Sequence, residues 1–288
     1  MSTQALFGQL LIGLINGSFY ALLSLGLAVI FGLLNIINFT HGAQYMMGAF
    51  VAYFLVNKLG LGYWWALALV PLAVGATGVF IERLMLKPLY KLDHLYGLLL
   101  TFGLALIIEG VFRNQFGSAG LPYSMPDSLT GVYNLGFMYL PKYRAWVILA
   151  SLAICLATWF LIERTKLGAY LRAATENPAL VQAFGVNVPR MITLTYGFGV
   201  GLAALAGVFA APIYQVSPQM GSSLIIVVFA VVVIGGMGSI LGSIVTGFGL
   251  GIVEGLTKYF YPEASNTVIF VIMAIVLMIR PQGLFGQR

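Results

Sequence analysis

The chain has 288 residues, of which 60% are hydrophobic and only 8% are charged, with a net charge of +6 and a mean hydropathy of +0.99. Because a soluble domain carries about 25% charged residues, this composition excludes a soluble fold and indicates an integral membrane protein. Its single cysteine, Cys155, excludes a disulfide framework. The excess of Lys and Arg predicts basic cytoplasmic loops, and no nucleic-acid partner is expected.

Nine apolar runs predict an all-α polytopic membrane protein with about eight or nine transmembrane helices. The runs cover about residues 5–34, 42–56, 63–81, 96–112, 145–162, 191–212, 224–234, 240–256 and 267–279. No remaining segment is long enough for a soluble domain, so residues 1–288 are predicted to form a single transmembrane domain. The longest polar connection, about 113–144 and rich in proline, is predicted to be the longest periplasmic loop.

The basic residues predict how the chain is oriented in the membrane. Segments 83–94 and 163–190 and the C-terminal tail hold nine of the 14 Lys and Arg residues. If each apolar run crosses the bilayer once, these three segments lie on the same face. The positive-inside rule then makes that face cytoplasmic. We therefore expect the N-terminus outside and the C-terminus inside.

The stretch "NIINFTHGAQYMMG", residues 35–48, places polar side chains between the first two apolar runs. Irregular backbone at membrane depth is tolerated only where protein or water covers it, so the stretch predicts a broken-helix region near residues 35–41. Two interpretations remain open: a polar clasp that joins two helices, or part of a translocation path. The candidate residues, with one asparagine from the first run, are Asn16, Asn35, Asn38, Thr40, His41 and Gln44.

Two acidic residues, Glu109 and Glu254, lie within apolar runs, near their ends. Each is followed four residues later by a basic residue, Arg113 or Lys258. This order suits an ion pair along one helix face, so both are predicted to be paired rather than to form a proton relay. Glycines four residues apart, such as Gly13 and Gly17, predict close helix packing.

The basic segment 163–190 predicts a short helix within a loop. Thr175 or Asn177 would be its N-cap, Pro178 would lie in its first turn, and Gly185 would stop it. The apolar residues of "PALVQAF" would give this helix an apolar face. Two interpretations are equally supported: the helix docks onto a partner protein, or it lies on the lipid headgroups.

Four motifs in this chain resemble one family of ATP-binding-cassette (ABC) importer permeases. The loop "RAATENPALVQAFGVNVPR" resembles their cytoplasmic coupling loop, in the form typical of the branched-chain amino acid family. "NIINFTHGAQYMMGAF", "GGMGSILGSIVTG" and "RPQGLFG" resemble other signatures of that family, and all four occur in the expected order. The similarity covers essentially the whole chain and is nearer to LivH-type than to LivM-type permease subunits.

The resemblance implies a permease subunit of a bacterial inner-membrane importer that carries branched-chain or related amino acids by ATP-driven alternating access. The implied partners are a second, LivM-like permease subunit, two cytoplasmic ATPases, a periplasmic substrate-binding protein and membrane lipids. ATP and Mg would bind the ATPases, so this chain is expected to hold no cofactor and not to be an enzyme. The implied coupling residues are Ala174, Thr175, Glu176, Asn177, Pro178 and Gly185.

An ion-coupled secondary transporter of small polar solutes is the main alternative. Such a protein needs an ion or proton site near mid-membrane, usually with broken helices in two corresponding halves. The breaks near 35–41 and 235–239 resemble such a pair. The lack of a central carboxylate and the docking-type loop argue against it. The sequence leaves the substrate open among branched-chain amino acids, other amino acids, urea, amides and aromatic acids.

Overall fold

The computed structural model describes residues 3–34, 38–136 and 138–286, which are largely helical. Long runs of Leu, Val, Ile and Ala suit membrane helices because a helix satisfies its backbone hydrogen bonds internally. The α-helices are α1 (Thr3–Leu34), α2 (Thr40–Asn57), α3 (Tyr63–Ile81), α4 (His94–Phe116), α5 (Lys142–Arg164), α6 (Lys166–Glu176), α7 (Pro178–Ala183), α8 (Val188–Ala210), α9 (Met220–Gly235), α10 (Ile240–Phe260) and α11 (Val268–Ile279).

Each of the nine apolar runs coincides with one of these helices, which are α1–α5 and α8–α11. Among the residues that the structure describes, six helices are long and apolar enough to cross a membrane, whereas α9 and α11 are shorter apolar helices. The 12 residues of α11 extend about 18 Å, less than the roughly 30 Å hydrocarbon core of a bilayer. The prediction of an all-α polytopic membrane protein is confirmed, and six of its helices are clear span candidates by length and composition.

Close packing between α1 and α10 forms much of the core. Gly13 and Gly17 of α1 lie against Gly251 and Phe248 of α10, so near that a Cβ atom at Gly13 would overlap the backbone of Gly251. The pairing is antiparallel, because the start of α1 meets the end of α10. The predicted role of the glycine pairs in helix packing is therefore confirmed for these two helices.

The predicted break between the first two runs is confirmed where the structure describes it, since Asn38 and Phe39 lie outside the helices and α2 begins at Thr40. Residues 35–37, including the candidate Asn35, lie outside the described residues. The start of α2 is inside the helix bundle rather than at its surface, because Thr40 and His41 are fully buried. Helix α2 then continues beside α8, with Gly48 against Ala204.

Two predicted boundaries need correction. The connection expected over 113–144 spans 117–141, because α4 continues to Phe116 and α5 begins at Lys142. Its last part forms a short antiparallel sheet of β1 (Val132–Asn134) and β2 (Tyr139–Pro141). In addition, segment 163–190 contains two helices, α6 and α7, where the sequence predicted one.

The three basic segments meet at one end of the bundle. A cavity of about 280 Å³ brings Gly32, near the end of α1, together with Arg172 and the C-terminal Phe285. A second cavity joins the turn between α3 and α4 to Thr175. We call this end the basic end. The opposite end holds the start of α1 and the hairpin of β1 and β2.

Candidate coupling site and buried polar core

Helices α6 and α7 form a compact unit at the basic end. The spacing of Leu167, Leu171 and Ala174 places these apolar residues along one face of α6, and Leu171 and Ala174 are buried. The Asn177 side chain accepts a hydrogen bond from the backbone N–H of Leu180 at 3.0 Å and so caps α7.

The predicted ends of α7 are confirmed in part. Asn177 is the N-cap and Pro178 occupies the first turn. Gly185 follows the helix with φ of +84°, a conformation that favours glycine after a helix end. The alternative N-cap, Thr175, is wrong. Thr175 lies in the last turn of α6, where its hydroxyl donates to the carbonyl oxygen of Arg172 at 2.7 Å.

Helix α7 presents an apolar surface at the basic end. Val181 is buried, whereas Leu180 is 54% exposed and Phe184 is 80% exposed. The candidate coupling residue Glu176 is also exposed. The buried residues of this unit thus pack against the rest of the protein, whereas its exposed residues are accessible to a partner.

The unit of α6 and α7 also borders the turn between α3 and α4. Ala174, Thr175 and Pro178 line a cavity of about 220 Å³ together with Tyr90 and His94, from the turn between α3 and α4. Five of the six predicted coupling residues, those at 174–178, therefore lie around the junction of α6 and α7. A displacement of this junction would act directly on the turn that ends α3.

Glu82 links the turn between α3 and α4 to α8 within the helix bundle. It is 1% exposed and lies in a π-helical turn, Glu82–Leu86, that follows α3. Its carboxylate accepts a hydrogen bond from the Tyr90 hydroxyl at 2.6 Å and one from the Thr193 hydroxyl of α8, also at 2.6 Å. Burial, together with the hydrogen bond and charge of Glu82, raises the pKa of Tyr90 well above its usual value, so Tyr90 remains a neutral donor.

Glu82 was missed at the sequence level, where it was taken only as the polar end of the third apolar run. The sequence does contain a feature that distinguishes Glu82 from the other two acidic residues in apolar runs. Glu109 and Glu254 each have a basic residue four positions later, but no basic residue lies three or four positions from Glu82. A carboxylate at the end of an apolar run without a local cation needs partners from other elements.

The start of α2 gathers most of the predicted polar residues. Asn38, Thr40, His41 and Gln44 are all fully buried. The Asn38 side-chain oxygen accepts from the backbone N–H of Thr40 at 3.1 Å and from the Thr40 hydroxyl. His41 Nε2 lies 2.9 Å from the carbonyl oxygen of Leu23 in α1. Since a carbonyl oxygen only accepts, Nε2 carries the proton.

This cluster also includes Tyr196 of α8, which the sequence-level prediction missed. Its hydroxyl lies beside the side chains of Asn38, Thr40 and Gln44. Among the described residues, the Tyr196 hydroxyl, the Asn38 and Gln44 amide nitrogens and His41 Nδ1 have no hydrogen-bond partner. We call Asn38, Thr40, His41, Gln44 and Tyr196 the polar core. It joins α1, α2 and α8 and retains unused hydrogen-bonding capacity.

Asn16 lies apart from the polar core, toward the opposite end of the bundle. Its amide nitrogen donates to Glu254 at 3.2 Å, and its side-chain oxygen accepts from the Tyr214 hydroxyl at 3.0 Å. Glu254 also accepts from the Tyr20 hydroxyl at 2.7 Å and pairs with Lys258 at 2.5 Å. The predicted ion pair is confirmed, but it is one part of a larger network.

The other predicted ion pair, Glu109 with Arg113, is also present within α4. It is more open than the pair at Glu254, because the Arg113 side chain is 49% exposed. Within residues 3–34, 38–136 and 138–286, no three His, Cys, Asp or Glu side chains lie close enough to hold a metal ion.

Comparison with known proteins identifies the family. The family model described as "Branched-chain amino acid transport system / permease component" matches residues 9–277. The chain belongs to this permease family. No solved structure matches the permease.

Individual relatives agree with the family model over the full length. The branched-chain amino acid permease protein LivH of Escherichia coli is 29% identical, covering 100% of this chain and 98% of the relative. BraD of Pseudomonas aeruginosa is 28% identical over 97% of this chain and 95% of the relative. LivM of Escherichia coli is 28% identical over 92% of this chain but 67% of its own length. Family membership favours the ABC permease over the ion-coupled alternative.

Proposed function

We propose that the permease is the LivH-type subunit of an ATP-driven importer and forms the translocation path for branched-chain or related amino acids by alternating access. The observation that carries the proposal is the unit of α6 and α7. It exposes Leu180 and Phe184 at the basic end and contacts the membrane helices through the cavity beside Tyr90. The names of the relatives LivH and BraD support the substrate class.

The coupling element in this proposal consists of Ala174, Thr175, Glu176, Asn177, Pro178 and Gly185. A cytoplasmic ATPase binds the exposed side of α7. Closure of the ATPase dimer displaces the junction of α6 and α7, which pushes on Tyr90. The hydrogen bonds of Glu82 to Tyr90 and Thr193 then carry the displacement to α8, three residues before Tyr196 of the polar core.

The proposed roles of the polar residues follow from their burial. The four described candidates at the start of α2 are fully buried, which suits a clasp between α1, α2 and α8. Their unused hydrogen-bonding atoms allow the clasp to change partners as the helices tilt. Asn16 is only partly buried and contacts the exposed Tyr214. It is therefore our candidate for a contact along the translocation path.

The assembly we propose contains a LivM-like permease subunit, two ATPases and a periplasmic substrate-binding protein. The relative LivM supports the second permease. ATP and Mg bind the ATPases, and this chain performs no catalysis. Residues 1–288 act as one transmembrane domain of the bacterial inner membrane. Its basic end faces the cytoplasm, with the N-terminus outside and the C-terminus inside.

Cross-linking tests the docking site. Cys155 is the single cysteine and is buried, so Cys155→Ala provides a cysteine-free background. In that background, Phe184→Cys should form a cross-link to a co-expressed ATPase subunit. Tyr139→Cys is the matched control, because Tyr139 is 67% exposed but lies in the hairpin at the opposite end. Equal cross-linking of the two variants, or none at position 184, would contradict the docking model.

A double variant tests coupling. Glu176→Lys with Pro178→Gly should leave the protein inserted and the ATPase active while uptake falls, because α7 loses its first-turn proline and the loop loses its acidic residue. The measurement is the ratio of substrate imported to ATP hydrolysed in proteoliposomes. Glu263→Lys, in the connection between α10 and α11, is the control. A wild-type ratio in the double variant would count against the coupling element.

A further inference from the structure

A cavity beside the coupling loop has a basic lining that plays no part in the proposed coupling mechanism. Its volume is about 550 Å³, and its cationic lining is Arg83 and Lys87 after α3 and Arg190 in the first turn of α8. All three side chains belong to exposed residues. In the part of the chain that the structure describes, none of the three lies within ion-pair distance of a carboxylate.

The acidic residue nearest in sequence, Glu82, does not neutralise this cavity directly. Its two carboxylate oxygens accept hydrogen bonds from Tyr90 and Thr193, and its residue is buried. The start of α8 adds a positive helix end, although the Asn187 side chain already accepts from the backbone N–H of Arg190 at 3.0 Å. The cavity therefore offers uncompensated positive charge to an anion.

An apolar groove continues from this cavity. The groove has a volume of about 490 Å³ and shares Asn187 and Arg190 with the basic cavity. Its apolar lining lies between α5, α6 and α8 and includes Leu161, Leu194 and Phe198. Charged and apolar surfaces thus meet at the level where α5 ends and α8 begins, which is where a membrane span gives way to a polar loop.

We propose that these two connected surfaces bind an anionic phospholipid. The phosphodiester lies between Arg83, Lys87 and Arg190, and an acyl chain lies in the groove against Leu194 and Phe198. Charge complementarity selects this occupant. A net negative headgroup gains from three cations, whereas the choline group of a zwitterionic lipid would be repelled by them. This site does not depend on ATP-driven transport, so its failure and that of the proposed function are separable.

Native mass spectrometry of the delipidated, full-length protein tests the site with phosphatidylglycerol as the probe. Arg83→Gln with Arg190→Gln should weaken binding roughly 30-fold, since each basic contact near the surface contributes about a factor of five. Lys91→Gln with Lys166→Gln is the matched control. It removes the same charge from exposed positions at the same end that do not line the cavity, and it should bind like the wild type.

Two further arms distinguish the sources of the phosphate group. Phosphatidylcholine should bind at least tenfold more weakly than phosphatidylglycerol, and millimolar inorganic phosphate should not displace the lipid. Leu194→Asn, at a 58% exposed position, should weaken lipid binding through the groove alone.

Equal loss in both charge variants, equal binding of the two lipids, or displacement by inorganic phosphate would overturn the lipid site. Binding of the acidic surface of a co-expressed ATPase at Arg83 and Arg190 in place of lipid would also overturn it.

Discussion

Two buried glutamates lie at opposite ends of the bundle, and their partners differ. Glu254, 5% exposed, has a cation one helical turn away in Lys258 as well as two neutral donors. Glu82, 1% exposed, accepts hydrogen bonds from two neutral hydroxyl groups, and within the described residues it forms no ion pair. One charge is compensated within its own helix, and the other is held only by donors from other elements.

This difference indicates distinct roles. The Glu254 network joins α1, α10 and the segment after α8 through five side chains, so it stabilises one arrangement of these helices. Glu82 joins the turn beside α6 and α7 to α8 through the Thr193 hydroxyl and is bonded within that turn by the Tyr90 hydroxyl. Such bonds can be exchanged at lower cost than a buried ion pair, which suits an element that must move.

The largest expected effect is that of Glu254→Ala, which should lower the free energy of unfolding by about 3 kcal/mol. The substitution leaves Lys258 without its counter-charge, and the Tyr20 hydroxyl, in a residue that is 6% exposed, without its acceptor. Thermal or denaturant unfolding in detergent micelles measures the change. A loss below about 1 kcal/mol would mean that the network is no stronger than a surface ion pair.

Glu82 should show a smaller effect, and one that is coupled to Thr193. Glu82→Gln should cost about 1–2 kcal/mol, because an amide oxygen replaces one acceptor while its NH₂ group faces a second donor. A double-mutant cycle with Thr193→Val should give a coupling free energy of about 1 kcal/mol. Additive effects of the two substitutions would show that the bond between Glu82 and α8 contributes nothing to stability.

Removal of a single tyrosine hydroxyl compares the two sites directly. Tyr90→Phe should cost about 1.5 kcal/mol, because Glu82 then keeps only Thr193, and Tyr20→Phe about 0.5–1 kcal/mol, because Glu254 keeps Asn16 and Lys258. Both variants have the same chemistry and can be measured by the same unfolding assay. The reverse order would contradict the assignment of Glu82 as the less compensated charge.

The smallest effect is expected for Glu109→Ala. Its pair with Arg113 has the same four-residue spacing as the pair at Glu254, but the Arg113 side chain is 49% exposed. The cost should be about 0.5 kcal/mol, in the range of exposed ion pairs. A cost close to that of Glu254→Ala would show that spacing, and not burial and additional partners, determines the strength of these pairs.

Local features of the fold could be predicted because their causes lie within a few residues. The apolar runs predicted the nine long or apolar helices. The four-residue spacing predicted both ion pairs, and Asn177 followed by Pro178 predicted the start of α7. Helix α6 was missed because the charged residues of segment 163–190 were taken to indicate a loop. The repeat of Leu167, Leu171 and Ala174 would have shown it.

Contacts between distant elements could not be predicted in this way. The hydrogen bond from Thr193 to Glu82 joins residues 111 positions apart, and the one from Asn16 to Glu254 joins residues 238 positions apart. Only the packing of α3 on α8 and of α1 on α10 creates these pairs. For the same reason the candidate Asn16 was grouped with the start of α2, although the structure places it in another network.

Uptake in proteoliposomes tests the central claim most directly. The permease is reconstituted alone, or with a LivM-like subunit, two ATPases and a substrate-binding protein, and labelled leucine uptake is measured with ATP, with ATP and vanadate, or with an ion gradient. The account predicts uptake only by the complete assembly, with ATP, and its loss in vanadate. Uptake by this chain alone, driven by an ion gradient and indifferent to ATP, would contradict it.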